Sequence, residues 1–385
     1  MGPERSTVAF APGRVNLIGE HTDYNGGLAL PFAIADGVTV RADAWPPGSP
    51  GTGRVEAHAT DLGEHDEFRL AAPPRADGWR AFVRGIVAEL GAAGCPLIGA
   101  RLQISGTVPR GAGLSSSAAL EVALCLALLG LAFDADAPAG GQEAPIDRTE
   151  IARLCARVEN DWVGAQTGLL DQLASLYGAP DTALCIDFRT LRIDPVPLHL
   201  GDWRLVVLDS GERHTHASSG YNQRRAECTR ACELLGVESL SDAADSGGSR
   251  SGDERGGNGN GSGSGSGESL ASVDRLPEPL CDRARHVIGE NQRVRDAVSA
   301  LRANDLPAVA RLLNASHASL RDLYDVGTPA VEAAVARLLD AGAAGARMVG
   351  GGFGGSVLGL FAPGVVPPGD AREVRPGPGA HLLDG

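Results

Sequence analysis

The sequence predicts a protein of mixed helices and strands that is divided into two or three domains. Length is the first observation, because 385 residues are more than one hydrophobic core usually organises. The second is that both patterns occur: residues 100–105 alternate like a strand, whereas residues 79–90 place apolar side chains at helical spacing. The third is the Pro-Val-Pro segment at 195–197, which lies between two strand patterns and marks the expected domain boundary.

The charge of the chain restricts its partners. The formal net charge is −14 and the sequence pI is about 5.1. Non-specific binding to nucleic acid needs Lys and Arg to replace counterions, and an anionic membrane surface would repel an acidic chain. We therefore expect no nucleic-acid partner and no membrane partner, but a small ligand held in a local cleft.

The cysteines and the apolar segments indicate the compartment. The seven cysteines are odd in number and form no CxxC pair, and several lie in apolar runs where a free thiol packs like a small hydrophobe. Residues 1–10 have no basic-then-apolar signal pattern. The longest apolar run, at 122–133, is shorter than the roughly 20 residues that span a bilayer. A reducing, cytoplasmic location is the expectation.

The first element is a strand at residues 8–10, which we expect to end at the Ala-Pro-Gly sequence 11–13. A dense polar segment follows, and apolar runs on both sides hold it against a core. Within it, Glu20 and Asp23 could accept hydrogen bonds from ligand hydroxyls, and His21 could donate or accept one. The pattern favours a carbohydrate ligand. A solvated loop rich in turn residues is the alternative.

A glycine- and serine-rich segment at residues 109–121 follows a strand pattern and precedes an apolar helix pattern. Gly111 and Gly113 permit backbone angles that a Cβ would forbid, and serines are good residues for the start of a helix. A helix N-terminus carries free N–H groups and a partial positive charge, so it suits a phosphate group. No lysine follows the second glycine, which excludes a Walker loop. A plain strand–turn–helix connection is the alternative.

Two helices are predicted in the middle of the chain. Asp147 caps the first, with Glu150 three residues later at capping-box spacing, and this helix ends near Glu159. The second starts near residues 167–168 and carries Asp171 in its first turn, where the helix dipole favours a carboxylate. From these patterns alone, Asp171 supports a helix start and Glu159 is a solvated residue at a helix end.

The second half of the chain contains a low-complexity segment and a glycine-rich loop. Residues 246–269 contain no apolar residue, so we predict a flexible surface insertion without a role in chemistry. Residues 350–355 match the dinucleotide fingerprint formally, but a strand pattern follows them instead of the required helix. We expect this loop to pack against a ligand of the other domain.

His214 and His216 lack companion ligands, so no metal is assigned to them. Further strand patterns lie at 37–43, 53–58, 183–188 and 203–209, and helix patterns at 221–235, 280–301, 306–323 and 329–339.

Taken together, three of these motifs resemble the GHMP kinase family, and within it the kinases that act on galactose. Residues 11–25 resemble the signature of those kinases almost letter for letter, residues 111–118 resemble the phosphate loop of the whole family, and residues 350–355 resemble its C-terminal glycine motif. The resemblance implies an α+β fold with the site between two domains. Residues 1–196 would be the N-terminal GHMP kinase domain, and residues 197–385 a ferredoxin-like C-terminal domain that carries the insertion at about 246–269. A monomer is expected.

The resemblance also implies an activity and a role for each matching residue. The reaction would be ATP-dependent phosphorylation of the C1 hydroxyl of α-D-galactose with Mg²⁺ as cofactor, the first committed step of galactose breakdown in the Leloir pathway. Asp171 and Arg14 would be catalytic, and Ser117 and Glu159 would hold Mg²⁺. The sugar contacts would be Glu20, His21, Thr22, Asp23, Gly168, Asp171 and Tyr221. The ATP contacts would be Gly111, Ala112, Gly113, Leu114, Ser115, Ser116 and Ser117.

Two alternatives remain open from the sequence. A kinase for N-acetylgalactosamine or arabinose would use the same motifs, because the residues that face C2 and C6 of the sugar cannot be identified. A non-catalytic sensor of sugar and nucleotide is the other alternative. The intact catalytic and metal-binding positions favour an enzyme over a sensor.

Overall fold

The structure is a computed structural model of the chain, and it describes residues 5–109, 113–133, 146–212, 217–245 and 272–383. Gly111 and Ala112 of the predicted phosphate loop lie outside these residues, as do His214, His216 and the low-complexity segment 246–269. Across the described ranges, no helix combines the length and the apolar character needed to cross a bilayer. All seven cysteines fall within these ranges and are free thiols.

The strands in the described ranges form three sheets. They are β1 (Ser6–Asn16), β2 (Leu28–Ala29), β3 (Pro31–Ala44), β4 (Arg54–Ala59), β5 (Glu64–Arg69), β6 (Ala100–Gly106), β7 (Thr182–Asp187), β8 (Arg192–Pro197), β9 (Arg204–Asp209), β10 (Gly345–Met348), β11 (Ser356–Phe361), β12 (Arg372–Val374) and β13 (His381–Leu383). A six-stranded sheet has the order β13-β1-β3-β6-β4-β5 and is antiparallel except where β4 pairs with β6. The second sheet has the order β10-β11-β9-β12 and is antiparallel, and the third has the order β2-β7-β8.

The helices cover these sheets and contribute most of the core. They are α1 (Trp79–Ala92), α2 (Ser116–Ala132), α3 (Arg148–Arg157), α4 (Leu170–Tyr177), α5 (Ala217–Leu235), α6 (Leu240–Asp245), α7 (Leu280–Arg302), α8 (Leu306–Asp322) and α9 (Pro329–Asp340). Helix α2 is apolar at almost every position because it packs against β1, β3, α1 and α4 and is buried on nearly all sides. The predicted helix at 79–90 is confirmed as α1, and the predicted cap is confirmed at α3, where Asp147 Oδ1 accepts the Glu150 N–H at 2.8 Å.

The predicted end of the first strand at residues 11–13 is wrong. Strand β1 continues to Asn16, and its pairing with β3 shifts register between Pro12 and Arg14. A bulge of this kind keeps a strand going while it re-aims the side chains that follow. The irregularity therefore brings Arg14, which a regular strand would have placed differently, to the cavity described below.

The strand that we predicted directly after the glycine-rich loop is confirmed. Residues 350–355 lead into β11, which pairs with both β9 and β10 in the second sheet. The dinucleotide fingerprint is thereby excluded, since it requires a helix at this point.

The two halves of the chain share a hydrophobic core. One buried cluster contains Leu17 and Ile18 from the first half together with Val294, Leu313 and Leu358 from the second. The end of the chain also returns to the first sheet, because β13 pairs with β1. The division at residue 196 stays a prediction, but these contacts mean that a cavity between the halves has walls fixed by a common core.

Arg347 on β10 joins the two halves by charge as well as by packing. Its side chain is fully buried, and Nη1 donates to the carbonyl oxygens of Asn16 at 3.1 Å and Leu17 at 2.8 Å. Nη2 lies 3.3 Å from Oε1 of the buried Glu20. The guanidinium is therefore the cationic partner of a carboxylate from the other half of the chain.

We expect Arg347→Met to lower the free energy of unfolding by about 3–5 kcal/mol, because it leaves the Glu20 carboxylate buried without its cation. The matched control is Arg337→Met, whose exposed ion pair with Asp370 should contribute at most about 1 kcal/mol. Chemical denaturation of both variants measures the difference. Equal losses in the two variants would contradict the role given to Arg347.

Candidate active site

A cavity of about 260 Å³ lies between the two halves of the chain. It collects most of the predicted sugar and catalytic positions, although they come from distant parts of the sequence. Its lining includes Arg14, Glu20, His21, Asp23, Gly168, Asp171 and Tyr221, together with Gly350, Gly351 and Gly352 of the glycine-rich loop. The expectation that this loop packs at a ligand site of the other half agrees with the geometry.

Asp171 is held in one orientation by groups from two other elements. Arg14 contacts Asp171 Oδ1 through Nε at 2.8 Å and through Nη2 at 2.6 Å, and its Nη1 donates to the Gly113 carbonyl at 2.7 Å. The Ser115 hydroxyl donates to the other carboxylate oxygen, Oδ2. Ser115 precedes α2 in a left-handed conformation with φ of 59° and makes no side-chain capping bond, which leaves its hydroxyl available for Asp171. The predicted phosphate loop thus also fixes the orientation of Asp171, the residue predicted to be catalytic.

Glu20 connects the first polar segment to the glycine-rich loop. Its Oε1 accepts the Gly350 N–H at 2.8 Å and faces Arg347. Burial raises the pKa of the Glu20 carboxyl, and the positive charges of Arg347 and Arg14 oppose that increase. Glu20 therefore lines the cavity and at the same time holds the loop that closes one side of it.

Asp23 stands against Gly168, at the cavity wall opposite the loop. A Cβ added to Gly168 would lie 1.9 Å from Asp23 Oδ2, so only glycine fits there. Burial and, to a smaller extent, the nearby Asp171 charge together raise the pKa of Asp23 to about 7. Glycine at position 168 thus leaves room for the Asp23 carboxylate near Asp171.

His21 presents one ring nitrogen to the cavity region. Its backbone has φ of 62°, and its Nδ1 is hydrogen-bonded to the Tyr24 hydroxyl at 2.8 Å. In the described part of the chain, no group meets hydrogen-bond geometry at the buried Nε2, although a contact with the Gly351 backbone favours the protonated ring. Burial lowers the pKa of His21 to about 3, so the ring is neutral. The Tyr221 ring packs nearby at a tilt of 36°, with its centroid 5.4 Å from that of His21.

Thr22 is the predicted sugar contact that the structure does not bring to the cavity. Its side chain is buried, and its hydroxyl lies 2.8 Å from both the Gly19 and the Leu28 carbonyl oxygens. The hydroxyl shapes the turn between β1 and β2, because both of its acceptors belong to that turn.

The predicted metal residues lie together beside Asp171. Glu159 accepts hydrogen bonds from the Thr167 hydroxyl, from Ser117 and from Gln172 Nε2 at 3.1 Å. It sits in a π-helical turn (Val158–Val163) that continues α3, a distortion that is frequent at functional sites. Burial raises the pKa of the Glu159 carboxyl. Glu159 is buried, so its interpretation as a solvated residue at a helix end is wrong.

A hydroxyl and a carboxylate are hard oxygen ligands of the kind that Mg²⁺ prefers, so Ser117 and Glu159 fit this ion. The described residues contain no group of three or more His, Cys, Asp or Glu side chains arranged for a metal. A Mg²⁺ ion at this pair would therefore take its remaining ligands from water and phosphate.

Sequence reasoning missed two residues of this cluster, Gln172 and Glu121. Gln172 Nε2 donates to Glu121 Oε2 at 3.3 Å as well as to Glu159. Burial, and then the charge of Glu159, hold the pKa of Glu121 well above its usual range. Helical spacing could have indicated Glu121, because it lies four residues after Ser117 and therefore on the same face of α2.

A second cavity, of about 360 Å³, opens beside the N-terminus of α2. Ser116, Ser117 and Asp61 are its polar lining residues, and most of the remaining wall is apolar. The apolar lining includes Val38, Leu62, Trp79, Phe82, Ile104, Val108 and Leu120. No sequence pattern indicated this cavity, because its walls come from several strands and helices.

Comparison with known proteins finds three family models along the chain. The galactokinase galactose-binding signature matches residues 1–43, the GHMP kinase N-terminal domain residues 81–179, and the GHMP kinase C-terminal domain residues 297–375. A galactokinase of Mycobacterium tuberculosis strain H37Rv is 40% identical over 384 residues, which cover 96% of this chain and 91% of the relative. The chain belongs to the galactokinase family.

Other relatives agree with this assignment. A galactokinase of Roseiflexus is 40% identical over 361 residues, covering 92% of this chain and 83% of its own length. The structure of Lactococcus lactis galactokinase complexed with galactose matches with a TM-score of 0.82 at 31% identity, covering 98% of this chain and 95% of that one. Methanococcus jannaschii mevalonate kinase, at 16% identity and a TM-score of 0.60 over 94% of this chain and 92% of its own, shares the fold. The predicted α+β GHMP kinase fold is confirmed.

In the ligand-free protein we expect Asp23 to titrate near pH 7 and Asp171→Asn to move that pKa down toward its ordinary 3.8, because the Asp171 charge is one cause of the increase. Carboxyl ¹³C NMR of aspartate-labelled protein measures the titration, with Asp23→Asn to assign the signal. The exposed Asp202→Asn is the control and should leave it unchanged. A wild-type pKa near 3.8 would contradict the described environment.

Proposed function

We propose that the chain transfers the γ-phosphate of ATP to the C1 hydroxyl of α-D-galactose, giving galactose 1-phosphate and ADP. One observation carries this proposal: the Asp171–Arg14 pair lies in a cavity lined by hydrogen-bonding groups suited to sugar hydroxyls, directly beside the N-terminus of α2. Its relatives named galactokinase, and the one whose structure holds galactose, favour galactose over N-acetylgalactosamine and arabinose.

Asp171 is the group that handles the proton of the reacting hydroxyl. As the new oxygen–phosphorus bond forms, the O–H bond breaks and the proton passes to a carboxylate oxygen of Asp171. Arg14 forms an ion pair with this carboxylate and stabilises the charge that redistributes during transfer. Ser115 and Arg14 together fix the carboxylate, so little reorientation is needed when the sugar binds.

The sugar is oriented by groups on opposite sides of the cavity. Asp23 and Glu20 supply acceptors, His21 supplies a ring nitrogen, and Tyr221 supplies an aromatic wall. Gly168 belongs to the proposed sugar site because the absence of a Cβ leaves room for the Asp23 carboxylate. Thr22 does not belong to it, because its hydroxyl is bonded to backbone carbonyl oxygens.

The nucleotide lies on the other side of Asp171. The N–H groups at the start of α2 favour the phosphates, and the apolar cavity next to Ser116 and Ser117 accommodates the base. Ser117 and Glu159 would hold Mg²⁺, which when bound neutralises charge on the transferring phosphate. Gln172 positions Glu159 for that task.

The test is ADP release with galactose, N-acetylgalactosamine, arabinose and glucose, with and without Mg²⁺. We expect release with galactose that depends on Mg²⁺, and Asp171→Asn should lower kcat by about 10²–10⁴-fold because the amide cannot take the proton. Asp202→Asn, an exposed change of the same kind, is the control.

Two results would contradict the proposal. Folded wild-type protein that releases no ADP with any of the sugars would overturn the enzymatic function and favour a sensor. Unchanged turnover in folded Asp171→Asn would overturn the role of Asp171 while leaving the kinase activity in place.

Gly168→Ala should raise the KM for galactose by about 10–100-fold, because the new Cβ displaces the Asp23 carboxylate and weakens charged hydrogen bonds to the sugar. Its control is Gly91→Ala, at a helical position where a Cβ meets nothing within 4 Å. Steady-state kinetics with galactose varied at saturating ATP measures the change. A KM within twofold of the wild-type value would show that Asp23 does not bind the sugar.

A further inference from the structure

A line of hydrogen-bonded side chains runs from His21 into the second half of the chain. His21 Nδ1 lies 2.8 Å from Tyr24 Oη, and Tyr24 Oη lies 2.9 Å from Tyr324 Oη. Tyr324 Oη lies 3.0 Å from Cys228 Sγ, which in turn accepts a hydrogen bond from Asn25 Nδ2 at 3.6 Å. We call His21, Tyr24, Tyr324 and Cys228 the His21 relay.

The His21 relay crosses between the two halves, and its members are buried except for the half-buried Tyr24. Tyr324 and Cys228 are buried, and they belong to the segment after α8 and to α5, whereas His21 and Tyr24 belong to the first polar segment. The ring of His286 packs 4.4 Å from that of Tyr324, and its own nitrogens are engaged by Ser319 and the Glu20 carbonyl. His286 therefore supports the Tyr324 ring without competing for its hydroxyl.

The donors and acceptors of the relay favour one direction of hydrogen-bond donation, from Cys228 toward His21. The Asn25 amide nitrogen can only donate, so Cys228 Sγ accepts from it. Among the described residues, Tyr324 Oη is the one oxygen within hydrogen-bond distance of Cys228 Sγ, so the thiol proton goes to Tyr324. Tyr324 then donates to Tyr24, and Tyr24 donates to His21 Nδ1. The opposite direction would load two donors on the sulfur and leave the thiol proton without an acceptor.

A neutral imidazole has one N–H, so accepting at Nδ1 places its proton at Nε2. Nε2 has no partner that meets hydrogen-bond geometry in the described chain, and the backbone of Gly351, which also lines the cavity, lies near enough to favour a proton on the ring. Asp23 beside it in the cavity lining is an acceptor. A sugar hydroxyl that meets both groups could then donate to Asp23 and accept from His21, which uses both of its hydrogen-bonding capacities.

We propose that the relay fixes His21 as the Nε2–H tautomer and so determines that this residue gives the sugar a hydrogen-bond donor. Tyr324 and Cys228 are positioning residues for sugar recognition, although neither lines the cavity. The inference deepens the proposed function and rests on it for the identity of the sugar. The tautomer itself is a property of the ligand-free protein.

The first experiment is ¹⁵N NMR of histidine-labelled, ligand-free protein, in which the coupling pattern of each ring identifies the protonated nitrogen. His21→Gln identifies the His21 signals among the nine histidines of the chain. We expect the Nε2–H form in the wild type and a mixture of both tautomers in Tyr324→Phe, which keeps the ring and removes the hydroxyl. An Nδ1–H form in the wild type, or no change in Tyr324→Phe, would overturn the proposal.

The second experiment separates positioning from packing. Tyr324→Phe and Cys228→Ala should raise the KM for galactose by about 3–10-fold while kcat stays within about twofold, and Cys228→Ser should keep a wild-type KM because its hydroxyl can donate in place of the thiol. Tyr177→Phe is the control, since its hydroxyl bonds to Thr149 away from the cavity.

Equal KM values for Cys228→Ala and Cys228→Ser would overturn the relay. If the wild type does not phosphorylate galactose, the proposed function fails, and the NMR result still decides the tautomer.

Discussion

The concentration of buried negative charge is the constraint on which the site depends. Carboxylates that lie close together away from water repel one another and lose hydration, so the fold must supply cations or hydrogen-bond donors. Arg14 meets this need at Asp171, and Arg347 meets it at Glu20 from the other half of the chain. The contact that makes the charge tolerable is thus also one that holds the halves together. The carboxyl groups concerned are Glu20, Asp23, Glu121, Glu159 and Asp171.

These carboxylates are compensated unequally, and the inequality matches their different tasks. Asp171 has an arginine and a serine hydroxyl on its two oxygens, which hold the carboxylate in one orientation. Asp23 has a pKa raised to about 7, so it stands close to losing its charge until sugar hydroxyls donate to it. Glu121, with a pKa well above its usual range, is best suited to act as a hydrogen-bonding spacer behind Glu159.

The sequence predicted what depends on local pattern and motif, and it failed where the determining contact is distant. Helix α1 and the cap at Asp147 follow from spacing alone, and the motif resemblance supplied most of the cavity lining. Thr22 lies outside the cavity lining, with its hydroxyl bonded to backbone carbonyl oxygens, and the left-handed backbone of its neighbour His21 is a local feature that no composition signals. Gln172 has partners 13 and 51 residues away, and Arg347 has partners about 330 residues away, so no local pattern indicated either contact.

The position of Gln172 directly after Asp171 gives helix α4 a double role. Successive residues of a helix point roughly 100° apart, so one turn can direct Asp171 to the sugar cavity and Gln172 to Glu159. The start of α2 is arranged in the same way, because Ser115 bonds to Asp171 and Ser117 to Glu159. The two helix starts are therefore tied twice, once through Asp171 and once through Glu159. A displacement of either helix would move both sides together, so the separation between the attacking oxygen and the phosphate is set within one rigid unit.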